Sequence, residues 1–401
     1  MSGTPPEQSP IRGNNVSLSE RLVFIFGFIT VIAITASFTP QMAKKVAYSW
    51  NIGVERAKAE VAKEFISENP LPEQRIAWVA KAVAPSVVGI RVYTSGPSEE
   101  YSPLRGSRGS IDTDIGSGII IDAQEGYVLT NYHVIANAYV IYVQLSDGRE
   151  VEAEIVGRDR WVDFAVLRIA PDDLEAIEWG DSRQIAVGER VLAIGNPYGL
   201  QQTVTSGIIS ATERIQPTQA MQETRRGGNL FSHEYLQTDA AINPGNSGGA
   251  LVDMDGKLIG ICTAIISADR GGNSGLGFAI PSYTAKNVYD KIVLYGKVKH
   301  GWIGAILDPV TPVESRQMDQ KKPMGAVVTN FARSGSSPAR DAGIQRGDIV
   351  LRWGETEIND PLHLIHLITF TEPGTKVMVE IFRKGEHSTL EITVGERPMN
   401  L

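Results

Sequence analysis

A serine set among glycines, in Asn243-Pro244-Gly245-Asn246-Ser247-Gly248-Gly249, has the composition that acyl transfer requires. That chemistry needs an accessible hydroxyl nucleophile and backbone N–H donors aimed at the oxygen that gathers charge. Gly245 has no side chain to shield its N–H, and with Ser247 it offers two such donors. Gly245, Asn246 and Ser247 are therefore the expected oxyanion-hole segment, although a Gly-rich turn without chemistry would read the same in isolation. The nucleophile needs a base. Among the six histidines only His133 follows a strong strand pattern, in Leu129-Thr130-Asn131-Tyr132-His133-Val134-Ile135. A ring just past a strand end can face a cleft. The base in turn needs a carboxylate to fix its tautomer and stabilise the imidazolium. Asp163 stands directly before the apolar run Phe164–Ile169, which carries it inward to where a carboxylate must find a hydrogen-bond donor. Asp159 is the competing acid, in a polar turn.

The chain order His133, Asp163, Ser247 is that of chymotrypsin-type hydrolases, whereas subtilisin-like and α/β-hydrolase enzymes use other orders. Gly245 to Gly249 also fits the Gly-x-Ser-x-Gly elbow by letter. An elbow needs a helix after the serine, and no helical pattern follows Gly249. The mechanism so read requires no metal and no cofactor.

These residues must be positioned by strands. Short β-type runs recur at Ser86–Val92, Gly118–Ile121, Tyr127–Thr130, Ala138–Val143, Phe164–Ile169, Val191–Ile194 and Leu258–Ile261, most of them bounded by Gly, Asp or Asn. Many short strands with few helical patterns between them predict a barrel or sandwich. Ser95–Asp114 and Gln216–Glu234 read as loops, the second a long polar insertion. Pro281–Gly296 reads as a helix with Val288, Ile292 and Val293 on its apolar face. Further strands and helices fill about Val298–Arg397.

The N-terminal 20 residues are polar and rich in Pro and Ser. Leu22–Phe38 then runs without a charge; at about 1.5 Å per residue it reaches roughly 26 Å, near the ~30 Å hydrocarbon core of a bilayer. It reads as a retained signal anchor or as a cleaved signal peptide ending near Ile34-Thr35-Ala36, and its length favours the anchor. Arg12 and Arg21 before it and Lys44 and Lys45 after it leave orientation undecided. Residues 41–67 read as a stalk helix with Val54, Ala57, Val61 and Phe65 on one face, packed on a partner subunit or else a solvated spacer. The net charge of −8 and the absence of a basic stripe exclude nucleic acid as the expected partner. A single cysteine, Cys262, excludes an internal disulfide.

The segments Leu129–Ile135, Val162–Ile169, Ala193–Pro197, Gly207–Ala211, Leu236–Gly249 and Gly277–Pro281 closely resemble the HtrA family of serine proteases, over about residues 78–396. The resemblance implies a mainly β fold: two six-stranded β-barrels of the chymotrypsin type followed by a PDZ domain, with an N-terminal transmembrane helix. The implied organisation is a tail over 1–20, an anchor over 21–40, a stalk over 41–77, a protease domain over 78–297 and a PDZ domain over 298–397. Gly301-Trp302-Ile303-Gly304-Ala305 resembles the loop with which PDZ domains take a peptide carboxylate, placing Trp302, Ile303, Gly304 and Ala305 at the peptide site. Ala339–Val350 resembles the common PDZ core run. In the protease, Ala241 and Ile242 give the substrate pocket an apolar base suited to a small aliphatic side chain, and Thr263, Ala264 and Ile265 are implied as its opposite wall.

One PDZ domain behind an anchor resembles the DegS-like members, which open the envelope stress response of bacteria. That resemblance implies a single-pass inner-membrane protein with its protease and PDZ domains in the periplasm, working as a homotrimer. It would cleave misfolded or regulatory envelope proteins, an anti-sigma factor among them, under the control of peptide C-termini at the PDZ domain. Arg214 matches a regulatory arginine of that group, but the loop Gln216–Glu234 is longer here, and the stalk is unlike theirs. A chaperone using the protease fold as a scaffold, and a sensor with little basal turnover, are the rival readings.

Overall fold

The structure is a computed structural model that describes residues 40–67, 72–94, 113–197, 202–217, 232–243, 245–263, 276–332 and 336–398. The chain divides into two compact units, 1–53 and 54–401. The hydrophobic stretch Leu22–Phe38 lies outside the described residues. Among those described, no helix is long and apolar enough to cross a membrane.

The first unit is described only from Pro40, where a helix begins that runs to Ser67. In the second unit this helix buries Ala59 and Ala62, while Val54, Ala57 and Val61 stay exposed, so its inward stripe does not run through those three as expected; the Phe65 side chain lies outside the described set. Small side chains let the helix approach closely, and ion pairs from Arg56 to Asp173 and from Lys63 to Glu175 tie it down. A second helix, Pro72–Val83, crosses the boundary expected at residue 78. It drives Val79 and Val83 into the main core, and Arg75 Nε donates to Met254 O at 2.8 Å.

Two closed six-stranded barrels follow. The first is formed by β1 (Val87–Tyr93), β2 (Thr113–Asp122), β3 (Tyr127–Thr130), β4 (Val140–Gln144), β5 (Glu150–Asp159) and β6 (Phe164–Arg168), in the order β1-β2-β3-β6-β5-β4. The second has β7 (Arg190–Gly195), β8 (Thr203–Pro217), β9 (Ser232–Thr238), β10 (Ala250–Val252), β11 (Leu258–Thr263) and β12 (Gly277–Pro281), in the order β10-β11-β12-β9-β8-β7. The stretch read as an insertion over Gln216–Glu234 is entered by strand at both ends, since β8 runs on to Pro217 and β9 starts at Ser232; residues 218–231 lie outside the described set. One apolar cluster joins the barrels: Ile119, Leu129, Phe164 and Val166 of the first pack with Leu192, Ile194, Leu258 and Ile261 of the second. Each such side chain contributes about 2 kcal/mol by leaving water, so the barrels are not free to separate.

The helix Ser282–Tyr295 closes this core with Ala285, Val288 and Ile292 and ends at Gly296 in the left-handed conformation. It lies so close to β5 that a Cβ on Gly157 would stand 2.6 Å from Ile292. The remaining chain forms β13 (Gly301–Trp302), paired with β20 (Gly395–Glu396), and a separate sheet, β14 (Ala305–Pro309), β15 (Ala326–Phe331), β16 (Ile349–Trp353), β18 (Lys376–Arg383) and β19 (Glu386–Thr393), with β17 (Thr356–Glu357) on β16. Its own core gathers Leu307, Val328, Val350, Val379 and Ile381 against Leu364, Ile365 and Ile368 of the helix Pro361–Phe370.

Candidate active site

Strand register brings the first two residues together. β3 and β6 are antiparallel with Thr130 opposite Ala165, so the chain leaving β3 meets the chain entering β6. Just past β3 the chain makes a single helical turn, Tyr132–Ile135, which carries His133. Asp163 precedes β6 with φ +57, a left-handed conformation that Asp tolerates better than most residues. The turn sends its carboxylate back along the strand end. Oδ1 accepts the backbone N–H of His133 at 2.9 Å, and Oδ2 lies 2.7 Å from His133 Nδ1. Because a carboxylate only accepts, Nδ1 carries the hydrogen and Nε2 is left as the basic nitrogen. The Asp163 side chain is 7% exposed, the His133 ring 28%. Asn131 Nδ2 donates to Asp163 O at 3.0 Å and so holds the strained turn.

Thr263, expected in a wall of the substrate pocket, points its hydroxyl at Asp163 Oδ2, 3.0 Å away. It sits at the end of β11, where the second barrel abuts the first, and it supplies the carboxylate with a third donor. Ala264 and Ile265 lie outside the described residues. Ala241 is half-buried, and its carbonyl accepts from Thr205 Oγ1 at 2.9 Å. Ile242 packs against the inner cluster of the second barrel.

Ser247 enters from the second barrel on the turn before β10. The residue that seats this turn, Ser117 of β2, was not visible in the sequence. Its N–H donates to Ser247 O (2.8 Å), and its hydroxyl donates to Gly245 O (2.6 Å) while accepting Asn196 N–H (2.8 Å). Its carbonyl accepts from Thr130 Oγ1 at 2.8 Å, next to the His133 turn. One buried serine thus binds the nucleophile loop of one barrel to the histidine strand of the other. Only the Gly-Ser-Gly spacing at Gly116–Gly118 hints at it: a Cβ on Gly116 would press on Val134 and lie 3.3 Å from Ser247 O. Among the described residues no hydrogen bond joins Ser247 Oγ to His133, a link that in this chemistry often tightens only when substrate binds.

Gly245 sits at φ +102 and Gly248 at φ +82. Among the described residues no acceptor takes up the N–H of Gly245 or Ser247. The N–H of Asn246, included in the expected oxyanion segment, is committed to Asn243 O at 3.0 Å and points away from that role. A Cβ on Gly248 would collide with Ser117 O and stand 2.5 Å from Thr130 Oγ1. Gly248→Ala is therefore expected to destabilise the fold by about 3 kcal/mol, through a forbidden φ and a steric clash together, as a fall in the urea midpoint would show. Cys262 is buried beside this turn, and burial pushes its thiol up to about 12, so it is not a competing nucleophile.

In the C-terminal sheet, Gly304 has φ +69 and its carbonyl accepts Ala332 N–H at 3.0 Å, while Ala305 begins β14 opposite Phe331. Ile303 is buried in the local core. Trp302 is buried as well, with Nε1 donating to Ser336 O at 3.2 Å and its ring stacked on the Arg397 guanidinium, which lies 4.6 Å from the ring centre. The ring is thus held between Arg397 and the chain at Ser336. Arg214 is exposed on β8, opposite Tyr235 of β9.

The family models agree with this architecture. Residues 116–261 match a trypsin-like peptidase domain and residues 302–394 a PDZ domain. The chain is thus a trypsin-like peptidase unit joined to one PDZ unit. It is 39% identical to the HtrA-type protease AlgW in a structure solved with a tripeptide, covering 80% of this chain and 97% of that one at a TM-score of 0.67. A DegP-like probable periplasmic serine endoprotease of Pseudomonas putida is 36% identical over 94% of this chain and 76% of its own length. The periplasmic serine endoprotease DegP of Salmonella typhimurium is 43% identical over 70% of this chain and 57% of its own. The chain belongs to the HtrA-type serine proteases. It spans 60% of the length of a DegP-like relative from Pseudomonas fulva.

Proposed function

We propose that the chain is a periplasmic serine endopeptidase in which Ser247 attacks the peptide carbonyl, His133 Nε2 takes the proton and later returns it to the leaving amine, and Asp163 holds the imidazole in the productive tautomer. The backbone N–H groups of Gly245 and Ser247 receive the oxyanion. The observation that carries this reading is the buried Asp163 carboxylate, 2.7 Å from His133 Nδ1, with the Ser247 loop seated against the same strands through Ser117. Ala241 and Ile242 favour a small aliphatic residue before the scissile bond.

The finer reading is a chain anchored in the inner membrane by Leu22–Phe38 and assembled as a homotrimer. Peptide C-termini at the PDZ unit control it, with Arg214 in the coupling and envelope proteins, including an anti-sigma factor, as substrates. AlgW structures with a tripeptide and a decapeptide support peptide ligands for this architecture. The test is covalent. A fluorophosphonate probe is expected to label the full chain at Ser247, located by mass spectrometry of the digest. Absence of label, or label on another residue, overturns the assignment.

A further inference from the structure

A second histidine–carboxylate pair lies where the PDZ unit meets the first barrel. His300 Nε2 is 2.6 Å from Asp159 Oδ2, with the two side chains 3% and 2% exposed. Asp159 ends β5, and its other oxygen accepts Trp161 N–H at 2.9 Å and Val162 N–H at 3.4 Å. One carboxylate therefore fixes the loop Asp159–Asp163, whose last residue faces His133. Trp161, in the middle of that loop, completes a stack: the Arg397 guanidinium lies 4.9 Å from its ring and 4.6 Å from the Trp302 ring.

The ring of His300 lies between two acceptors: Nε2 faces the Asp159 carboxylate, and Nδ1 faces the carbonyl of Thr369 at 3.4 Å. We propose that His300 is a positioning residue for the peptidase reaction: through its hydrogen bond to Asp159 it latches the PDZ unit to the loop that presents Asp163. The inference rests on the catalytic reading of Ser247, His133 and Asp163.

Other charged groups line this junction. The cavity beside the pair, about 290 Å³, is lined by Arg158, Arg160, Lys297, Lys299 and Arg397, with Tyr132 from the His133 turn and Glu396. Glu396 is committed to Lys299 at 2.8 Å. Burial and the neighbouring Arg160 bring Arg397 down to about 9. The pair is therefore set against a cationic wall. Burial also works against the charge on Asp159; the His300 ring, its hydrogen bond and those from Trp161 and Val162 N–H outweigh this and hold the carboxyl below its ordinary value. From the helix Pro361–Phe370, the Phe370 ring meets His300 edge-on, and His366 pairs with Glu234 of β9 at 3.3 Å.

The test uses the full chain and a short chromogenic peptide with valine before the scissile bond. His300→Leu is expected to lower kcat about tenfold with KM changed less than about twofold, the size a small misplacement of a reacting group produces. Asp159→Asn should do the same, and the double variant should be no worse than either. His300→Arg, which keeps a donor for Asp159, should recover kcat. Wild-type kcat in His300→Leu would overturn the latch, as would a double variant more damaged than either single one. Should His300→Leu fail to fold, the other two variants decide: wild-type kcat in Asp159→Asn or a roughly tenfold loss in His300→Arg overturns the latch. Fluorophosphonate labelling separates the two readings: a labelled wild type with an indifferent His300 sinks the latch only, whereas an unlabelled wild type sinks the peptidase reading and the latch with it.

Discussion

Ser247→Ala is expected to lower kcat by about 10⁶-fold while leaving KM and thermal stability nearly unchanged. The structural half of that expectation comes from how the loop is held. Its anchors are backbone groups: Ser247 O accepts from Ser117 N–H, Gly248 N–H donates to Cys262 O at 2.8 Å, and Gly249 N–H donates to Asn246 O at 2.8 Å. The Ser247 hydroxyl makes no hydrogen bond among the described residues, so its removal breaks no tie. The chemical half comes from the division of labour. Without the hydroxyl, the imidazole has no proton to take and the oxyanion donors have no intermediate to hold, so His133→Ala should be as damaging and the double variant no worse than either. Peptide turnover by purified variants, with circular dichroism as the control, is the measurement. A Ser247→Ala chain within about a hundredfold of wild type would place the nucleophile elsewhere.

The parts of the molecule that sequence made visible are those where one residue type has one use. Apolar runs bounded by Gly or Asp became β1, β3, β6, β7 and β11, because a strand buried in a closed barrel has to be apolar along its length. His133 stood out because a polar ring directly after such a run is costly unless it is partnered. What stayed hidden depends on pairings that local patterns do not encode. β5, with the run Glu150–Asp159, alternates charged and apolar residues on a half-exposed face and resembles a polar connection. Ser117 sits in a Gly-Ser-Gly stretch that looks like any tight β segment, and only the closed sheet shows that it bridges both barrels. Asp159 and His300 are far apart in the chain, and nothing local links them; Asp159 reads as a competing acid in a polar turn because the PDZ unit that buries it cannot be seen from the turn. The helix Pro40–Ser67 was legible as a helix, but its buried face was not. Alanines that allow close approach carry less hydrophobic signal than the valines left outside.

Asp163→Asn is expected to cost about 10⁴-fold in kcat at neutral pH, the size of effect that a wrong imidazole tautomer has in a Ser-His-Asp triad. The substitution is informative here because of the backbone. At φ +57 most side chains are strained, but Asn enters the left-handed region about as readily as Asp, so the turn into β6 and the Asn131 hydrogen bond to residue 163 should survive. The carboxylate now receives three donors: His133 N–H on Oδ1, and His133 Nδ1 and the Thr263 hydroxyl on Oδ2. An amide can keep only one oxygen in that nest. If the oxygen stays with the backbone N–H, the NH₂ group faces Nδ1 and Thr263 and forces Nδ1 to accept. The ring proton then moves to Nε2, where a base is needed, and the serine proton has no taker. Thr263 can rotate its hydroxyl to accept instead, so the stability change should stay within about 1–2 kcal/mol. Asp163→Ala, in contrast, loses both the carboxylate and the residue type suited to the turn, and should lose stability as well as turnover. If Asp163→Asn retained kcat within about tenfold while Asp159→Asn lost it, the carboxylate that serves His133 would have to be sought one turn earlier in the chain.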